Sequence, residues 1–95
     1  MKHYIIAKYK PEIQNKEELL QQIRALYAEA AHIPGVMGAR VIPNCVARDN
    51  RYDVMIVLDM EKDALPAWDA SETHKAWKQR FGEMLAGKTI FDAEE

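Results

Sequence analysis

The sequence contains few of the residues that support disulfide, thiol or phosphate-loop chemistry. It has one cysteine in 95 residues, so no intrachain disulfide can form, as is usual for proteins of a reducing cytosol. That residue, Cys45, lies in "PNCVARD" at the end of a predicted strand, and we assign it no role. The four glycines are scattered and form no G-x-G, which excludes a glycine-rich phosphate loop.

Long apolar runs and an excess of positive charge are also missing. The longest aliphatic-type run, "VMIVL", is far too short to span a membrane, and "MKHYIIAKYK" lacks the apolar core of a signal peptide. Thirteen basic and fifteen acidic residues give a net charge of −2, which argues against a dedicated nucleic-acid binder. We therefore expect a cytoplasmic protein with neither a membrane nor a nucleic acid as partner.

The three histidines do not form a metal-binding pattern. His3, His32 and His74 are widely separated, and the sequence has no H-x-x-x-H, H-x-E or C-x-x-C pair. We therefore expect no metal and no cofactor. His32 follows the first predicted helix, where a cation favours the helix dipole, and we interpret it as structural.

The first half of the chain reads as strand, helix and two further strands. Residues 2–10 alternate in polarity and predict a strand that Pro11 ends. Asn15 with Glu18 matches a capping box at the start of a helix that "HIPGV" stops. Residues 36–46 predict a second strand, and "YDVMIVLDM" predicts a third. One face of this third strand should carry Tyr52, Val54, Ile56, Leu58 and Met60.

The second half reads as two helical segments and a final strand. "EKDALPAWDA" predicts a short helix with a break or bend at Pro66, and Ser71 is a candidate N-cap for the next helix. One face of that helix should carry His74, Trp77, Phe81 and Leu85. Gly87 is expected to end it, and residues 88–92 to form a last strand.

This order predicts a single α+β domain over 1–95 with a ferredoxin-like βαββαβ fold. In that fold a four-stranded antiparallel sheet carries its helices on one face. The other face would expose Ile6, Met55 and Val57, and a second copy of the chain is the simplest cover for them. We expect a homodimer in which two such sheets face each other.

Five stretches together resemble the stress-responsive A/B barrel domain (Dabb) family. They are "KHYIIAKYK", "IPGV", "YDVMIVLDM", "THKAW" and "IFD", in matching order along nearly the whole chain. The resemblance implies a dimeric α+β barrel. Members of the family include plant stress-associated proteins and a polyketide cyclase that lines a sheet–helix cleft with histidines. Two of the cyclase histidines correspond to His3 and His74. Its tyrosine corresponds to Trp68, and a third histidine to Val54.

These positions define a candidate site between the sheet and the helices. His3 and His74 are each polar residues on an otherwise apolar face, and two imidazoles in one layer suit proton transfer or binding of a carbonyl oxygen. They are the candidate catalytic residues, with His74 as general acid or base and His3 orienting the substrate. The candidate ligand-binding residues are Tyr9, Tyr27, Val54, Trp68, Trp77 and Phe81.

Three functions remain open from the sequence. The first is binding of a small apolar or aromatic molecule that carries oxygen, with cofactor-free cyclase- or isomerase-like proton transfer if the protein is an enzyme. The second is a non-enzymatic, stress-associated or assembly role. The third is a cofactor-free monooxygenase of the antibiotic-biosynthesis type, suggested by analogy of fold alone.

Overall fold

The computed structural model describes residues 1–95 and contains four strands and three α-helices. The strands are β1 (Lys2–Tyr9), β2 (Val36–Pro43), β3 (Val54–Met60) and β4 (Leu85–Ala93). The helices are α1 (Lys16–Ala28), α2 (Leu65–Asp69) and α3 (Glu72–Phe81). Short 3₁₀ turns occupy Glu29–His32, Lys62–Ala64 and Gly82–Met84.

The four strands form one antiparallel sheet in the order β2-β3-β1-β4. β1 is an interior strand and pairs with β3 on one side and β4 on the other. Its burial alternates strictly, with every second residue from His3 to Tyr9 buried. This arrangement confirms the predicted α+β ferredoxin-like fold.

The helices cover one face of this sheet, here called the inner face. It carries Ile5, which lies opposite Ile56 on β3, and the apolar stripes of the helices pack onto it. The buried residues of α1 are Leu19, Leu20, Ile23, Leu26 and Tyr27, as the helical spacing predicts. Trp68, Trp77 and Phe81 complete this core from α2 and α3.

Gly35 makes the tight turn from the first helical segment into β2. Its φ is +84°, a conformation that glycine adopts without steric cost. A Cβ at this position would lie 2.7 Å from the Cβ of Ala64, so the chain also needs glycine for the close approach. The turn predicted from "HIPGV" therefore has both a conformational and a packing cause.

Two predicted helix starts are confirmed and one predicted helix end is wrong. Asn15 is the N-cap residue of α1 as expected, although its side chain makes no capping hydrogen bond. Gly87 does not end a helix, because α3 stops at Phe81 and Gly87 already pairs with Lys8 in the sheet. The Ser71 cap is confirmed, since its Oγ accepts a hydrogen bond from the His74 backbone N–H at 3.1 Å.

Three strand limits also differ from expectation. β4 begins at Leu85 rather than at 88, so Leu85, expected on the helix face of Phe81, lies in the sheet opposite Tyr9. β2 ends at Pro43 rather than at 46, because Asn44 turns the chain through side-chain bonds to the backbone of Val46. β3 begins at Val54. Tyr52 therefore lies outside the strand, where it borders a pocket together with Ile6, Val54 and Met55.

The opposite, outer face of the sheet has no helix over it. Val57 is buried among its neighbours yet stands apart from the core cluster, and Ile6 and Met55 are half-buried. Phe91 on β4 lies opposite Tyr4 on this face and is 61% exposed. The predicted apolar outer face is thus present.

None of the three helices has both the length and the apolar character needed to cross a lipid bilayer.

The two candidate caps give a matched test of local stability. Ser71→Ala removes the bond from His74 N–H and the bond that Ser71 Oγ donates to the Trp68 carbonyl at 2.7 Å. We expect it to lower the free energy of unfolding by about 1–2 kcal/mol. Asn15→Ala removes no capping bond and should change it by less than about 0.5 kcal/mol. Urea unfolding at one protein concentration measures both, and equal losses would contradict the assignment.

Candidate active site

Trp68 is the side chain on which the candidate site converges. It lies on α2, whose second residue is Pro66, a position where the missing N–H costs nothing. Its indole is 1% exposed and contacts three titratable rings. The ring centroids of His3, His74 and Tyr27 lie 6.3, 4.9 and 5.7 Å from it. Residues from β1, α1 and α3 therefore meet around one aromatic side chain.

His3 is held by a carboxylate from the neighbouring strand. Asp92 lies directly opposite His3 in the pairing of β1 with β4, on the inner face. Its Oδ1 accepts a hydrogen bond from His3 Nδ1. This contact places the hydrogen of the ring on Nδ1 and fixes the ring orientation, so Nε2 is the nitrogen that remains for a ligand. His3 is 5% exposed, so such a partner is what burial requires.

His74 has a similar arrangement with a neutral acceptor. Its Nδ1 lies 3.0 Å from the carbonyl oxygen of Asp69, which can only accept, so Nδ1 donates and Nε2 carries the lone pair. Its backbone N–H is fixed by Ser71. The ring is half-buried beside Trp68. His74 thus presents a positioned proton acceptor at the edge of the core.

Tyr27 places an unsatisfied hydroxyl in the same cluster. Its Oη is fully buried and has no hydrogen-bond partner. Its ring packs between Trp68 and Trp77, at 5.7 and 5.6 Å between centroids. Burial raises the pKa of this hydroxyl well above its usual value, which keeps it a hydrogen-bond donor. An unpaired buried donor costs roughly 1–3 kcal/mol, and a ligand oxygen could remove that cost.

The space between sheet and helices is filled by the aromatic residues themselves. Trp77 is also 1% exposed, and it extends the cluster to Phe81 at 5.6 Å between ring centroids. The two main surface pockets lie elsewhere and include neither histidine nor either tryptophan. A ligand would therefore have to displace the Trp68 indole to reach both histidines.

Two of the expected ligand-binding residues lie outside this cluster. Tyr9 is six residues along β1 from His3, roughly 20 Å at the usual rise of a strand. Val54 lies opposite Ala7, near the same end of the sheet. Both border a separate groove. The structure thus brings together His3, His74, Tyr27, Trp68, Trp77 and Phe81, and separates Tyr9 and Val54 from them.

Sequence reasoning missed Asp92 as the partner of His3. The signal was present, because Asp92 is the one acid in the apolar strand "KTIFD". The antiparallel pairing of the first and last strands places the end of β4 beside the start of β1. No group of three or more histidine, cysteine, aspartate or glutamate side chains is arranged to hold a metal ion.

No family model matches the chain, and no curated protein matches it either. Solved structures, in contrast, match over nearly its whole length. A dimeric protein of unknown function and ferredoxin-like fold from Bacteroides fragilis has a TM-score of 0.82 at 15% identity. It covers 99% of this chain and 94% of its own.

Two structures with named activities also share the fold. The hydroxynitrile lyase of Passiflora edulis has a TM-score of 0.71 at 14% identity, covering 95% of this chain and 87% of its own. An antibiotic biosynthesis monooxygenase-like protein from Nitrosomonas europaea has a TM-score of 0.66 at 15% identity, with full coverage of both chains. At such identities the likeness shows the ferredoxin-like fold alone. The resemblance to the Dabb family stays a prediction.

The sign of the stability change on removing the Tyr27 hydroxyl tests whether that hydroxyl is unpaired. Tyr27→Phe removes a buried donor without a partner, so we expect the free energy of unfolding to rise by about 1 kcal/mol. Tyr52→Phe, at an exposed tyrosine, should change it by less than about 0.5 kcal/mol. Chemical denaturation of both variants measures the difference. A loss of stability in Tyr27→Phe would mean that the hydroxyl has a structural partner.

Proposed function

We propose that the protein is a homodimeric Dabb-type domain that binds a small apolar or aromatic molecule carrying an oxygen function. The observation that supports this most directly is the set of polar atoms around Trp68. Nε2 of His3, Nε2 of His74 and the unpaired hydroxyl of Tyr27 belong to residues that all contact this one side chain. An apolar site with a few convergent polar groups is typical of small-molecule binding.

The polar atoms suit two different roles, proton transfer and binding of the substrate oxygens. His74 Nε2 carries a lone pair and suits the removal of a proton from the carbon next to a carbonyl. The Tyr27 hydroxyl would donate to the carbonyl oxygen, where negative charge develops. His3, oriented by Asp92, would hold a second oxygen of the substrate. Returning the proton to another carbon gives an isomerisation. Attack of the enolate carbon on a second carbonyl of the same molecule gives a cyclisation.

Entry of the ligand would be coupled to movement of Trp68. The indole fills the space between the two histidines, and α2, which carries it, is only five residues long. The substrate would take the place of the indole, so its own apolar surface would pack against His3, His74 and Tyr27. This exchange favours aromatic or apolar ligands over fully polar ones.

The closed site also supports the non-enzymatic alternative. A fully packed aromatic cluster is what a protein selected for stability and assembly would show, with His3 and His74 satisfied by Asp92 and a backbone carbonyl. The monooxygenase alternative rests on the likeness of fold alone. Ligand binding distinguishes the small-molecule function from the non-enzymatic assembly role.

Binding of uncharged ligands to the wild type and to variants of the candidate site tests the proposal. Uncharged phenols, quinones and β-keto esters, screened by thermal shift at about pH 6 and about pH 8, should give saturable shifts, because such molecules combine apolar surface with an oxygen that the histidine and tyrosine side chains can bind.

His74→Gln and Tyr27→Phe should each weaken a responding ligand at least about tenfold. His32→Gln is the matched control, since its side chain is exposed and contacts only Glu29. No shift with any ligand at either pH would favour the assembly role. Equal binding by the wild type and His74→Gln would exclude His74 from the site.

The proposed dimer is tested on the outer face. Ile6 and Met55 are directly opposite each other on that face, so Met55→Lys would place a charge in the interface. We expect it to weaken the dimer at least about a hundredfold in analytical ultracentrifugation. Ile90→Lys, at an exposed isoleucine opposite Ile5 on the inner face, should leave the dimer intact. A dimer unaffected by Met55→Lys, or a monomeric wild type, would contradict the proposed interface.

A further inference from the structure

A large groove lies at the end of the sheet away from His3. It has a volume of about 820 Å³, within the range of roughly 300–1,000 Å³ that small-molecule sites occupy. One wall is the end of β1 with the start of α1, and the other is the segment between β2 and β3, residues 44–53. The residues gathered around Trp68 are here called the Trp68 cluster: His3, Tyr27, Trp68, His74, Trp77 and Phe81. None of them borders the groove. It is therefore a separate site.

The groove combines an apolar floor with a charged rim. Tyr9, Leu20 and Val54 form the floor and are buried, and Ile13 adds a half-buried side chain. The rim holds five basic and three acidic residues, in a chain whose net charge is −2. The basic residues are Lys8, Lys10, Lys16, Arg48 and Arg51, and the acidic ones are Glu17, Asp49 and Asp53.

Internal contacts neutralise some of these charges and leave others free. Asp53 bonds Lys16 at 2.9 Å and the backbone N–H of Tyr9 at 2.7 Å, so both of its oxygens are occupied. Lys10 and Arg48 have no acidic partner, and the side chain of Arg51 bonds only the Asn50 amide oxygen. Lys8 bonds only the backbone carbonyl oxygens of Asp49 and Arg51. Four cations and the two carboxylates of Glu17 and Asp49 therefore remain without an ionic partner, which leaves the rim of the groove net positive.

Tyr9 adds a polar group inside the groove. The residue is 6% exposed, yet its hydroxyl has no hydrogen-bond partner in the protein and is not sealed from the groove. Burial, with the Asp53 carboxylate nearby, raises the pKa of this hydroxyl, so it stays a donor. A hydroxyl donor that opens into a groove with a net positive rim is suited to an anionic oxygen.

We propose that this groove binds an amphipathic organic anion, a molecule with an apolar chain or ring and one terminal phosphate or carboxylate. The apolar part would lie on Leu20 and Val54, and the anionic oxygens would be bound by Arg48, Arg51 and the Tyr9 hydroxyl. Apolar contact and charge are both needed, so a neutral alcohol or a bare inorganic anion should bind poorly. The proposal does not depend on the function of the Trp68 cluster.

Four probes separate the contributions of charge and chain. Decyl phosphate, decanoate, decanol and inorganic phosphate are titrated into the wild-type protein by isothermal calorimetry below their micelle-forming concentrations, with amide shifts followed by NMR. At least one of the two anionic amphiphiles should bind at least about tenfold more tightly than decanol and phosphate, and should weaken as salt is raised. Tighter binding of decyl phosphate or of decanoate identifies the headgroup. The perturbed amides should lie in β1, α1 and residues 44–53.

Charge-matched variants locate the site. The double variant R48Q/R51Q should weaken the anionic amphiphile at least about tenfold, and Tyr9→Phe by about threefold. The double variant K75Q/K78Q removes the same charge from exposed positions of α3 and should leave affinity unchanged. If R48Q/R51Q does not fold, Lys10→Gln, which lies outside the 44–53 segment, should also weaken binding of the anionic amphiphile. Equal losses in all these variants, amide shifts outside the groove, or no binding of either anionic amphiphile would overturn the proposal.

Discussion

β1 is hydrogen-bonded along both of its edges, to β3 on one side and to β4 on the other, and most of the molecule is arranged around this pairing. Because side chains alternate along a strand, its register assigns His3, Ile5 and Ala7 to the inner face and Ile6 to the outer face. The same register sets Asp92 opposite His3. A slip of one residue would turn the histidine toward the outer face and remove its partner at once.

The Trp68 cluster shows how closely packing and chemistry are combined in a thin core. A domain of this size buries a limited fraction of its surface, so large aromatic side chains contribute much of the available burial. Trp68, Trp77 and Tyr27 serve that purpose and are almost fully enclosed. The unpaired hydroxyl of Tyr27 is the one feature of the cluster that packing does not account for, since phenylalanine would fill the same volume without the desolvation cost.

The two ends of β1 have different surroundings. The end at His3 lies against the Trp68 indole, and its charged neighbour is the Asp92 carboxylate. The end at Tyr9 opens into a groove whose rim is rich in lysine and arginine. Apolar side chains are present at both ends, so the two surroundings differ mainly in charge. The outer face has no helix over it, and its apolar residues Ile6, Met55 and Val57 belong neither to the Trp68 cluster nor to this groove.

The sequence by itself determined the order of strands and helices, the alternation of β1, the apolar stripes of the helices and the cap at Ser71. These features depend on residues near one another in the chain, where periodicity and local hydrogen bonding act. It also indicated that His3 and His74 lie in the sheet–helix layer. The ends of β2 and β4 were less well determined, because pairing with a neighbouring strand fixes where a strand stops.

Only the tertiary structure decided what each side chain meets. The partnership of His3 with Asp92 joins residues 89 positions apart and follows from strand register. The packing of the helices on the sheet places Trp68 between the histidines and leaves the Tyr27 hydroxyl unpaired. The return of the 44–53 segment beside β1 places Tyr9 in a groove with a basic rim. Such contacts depend on three-dimensional packing, which spacing along a single chain does not specify.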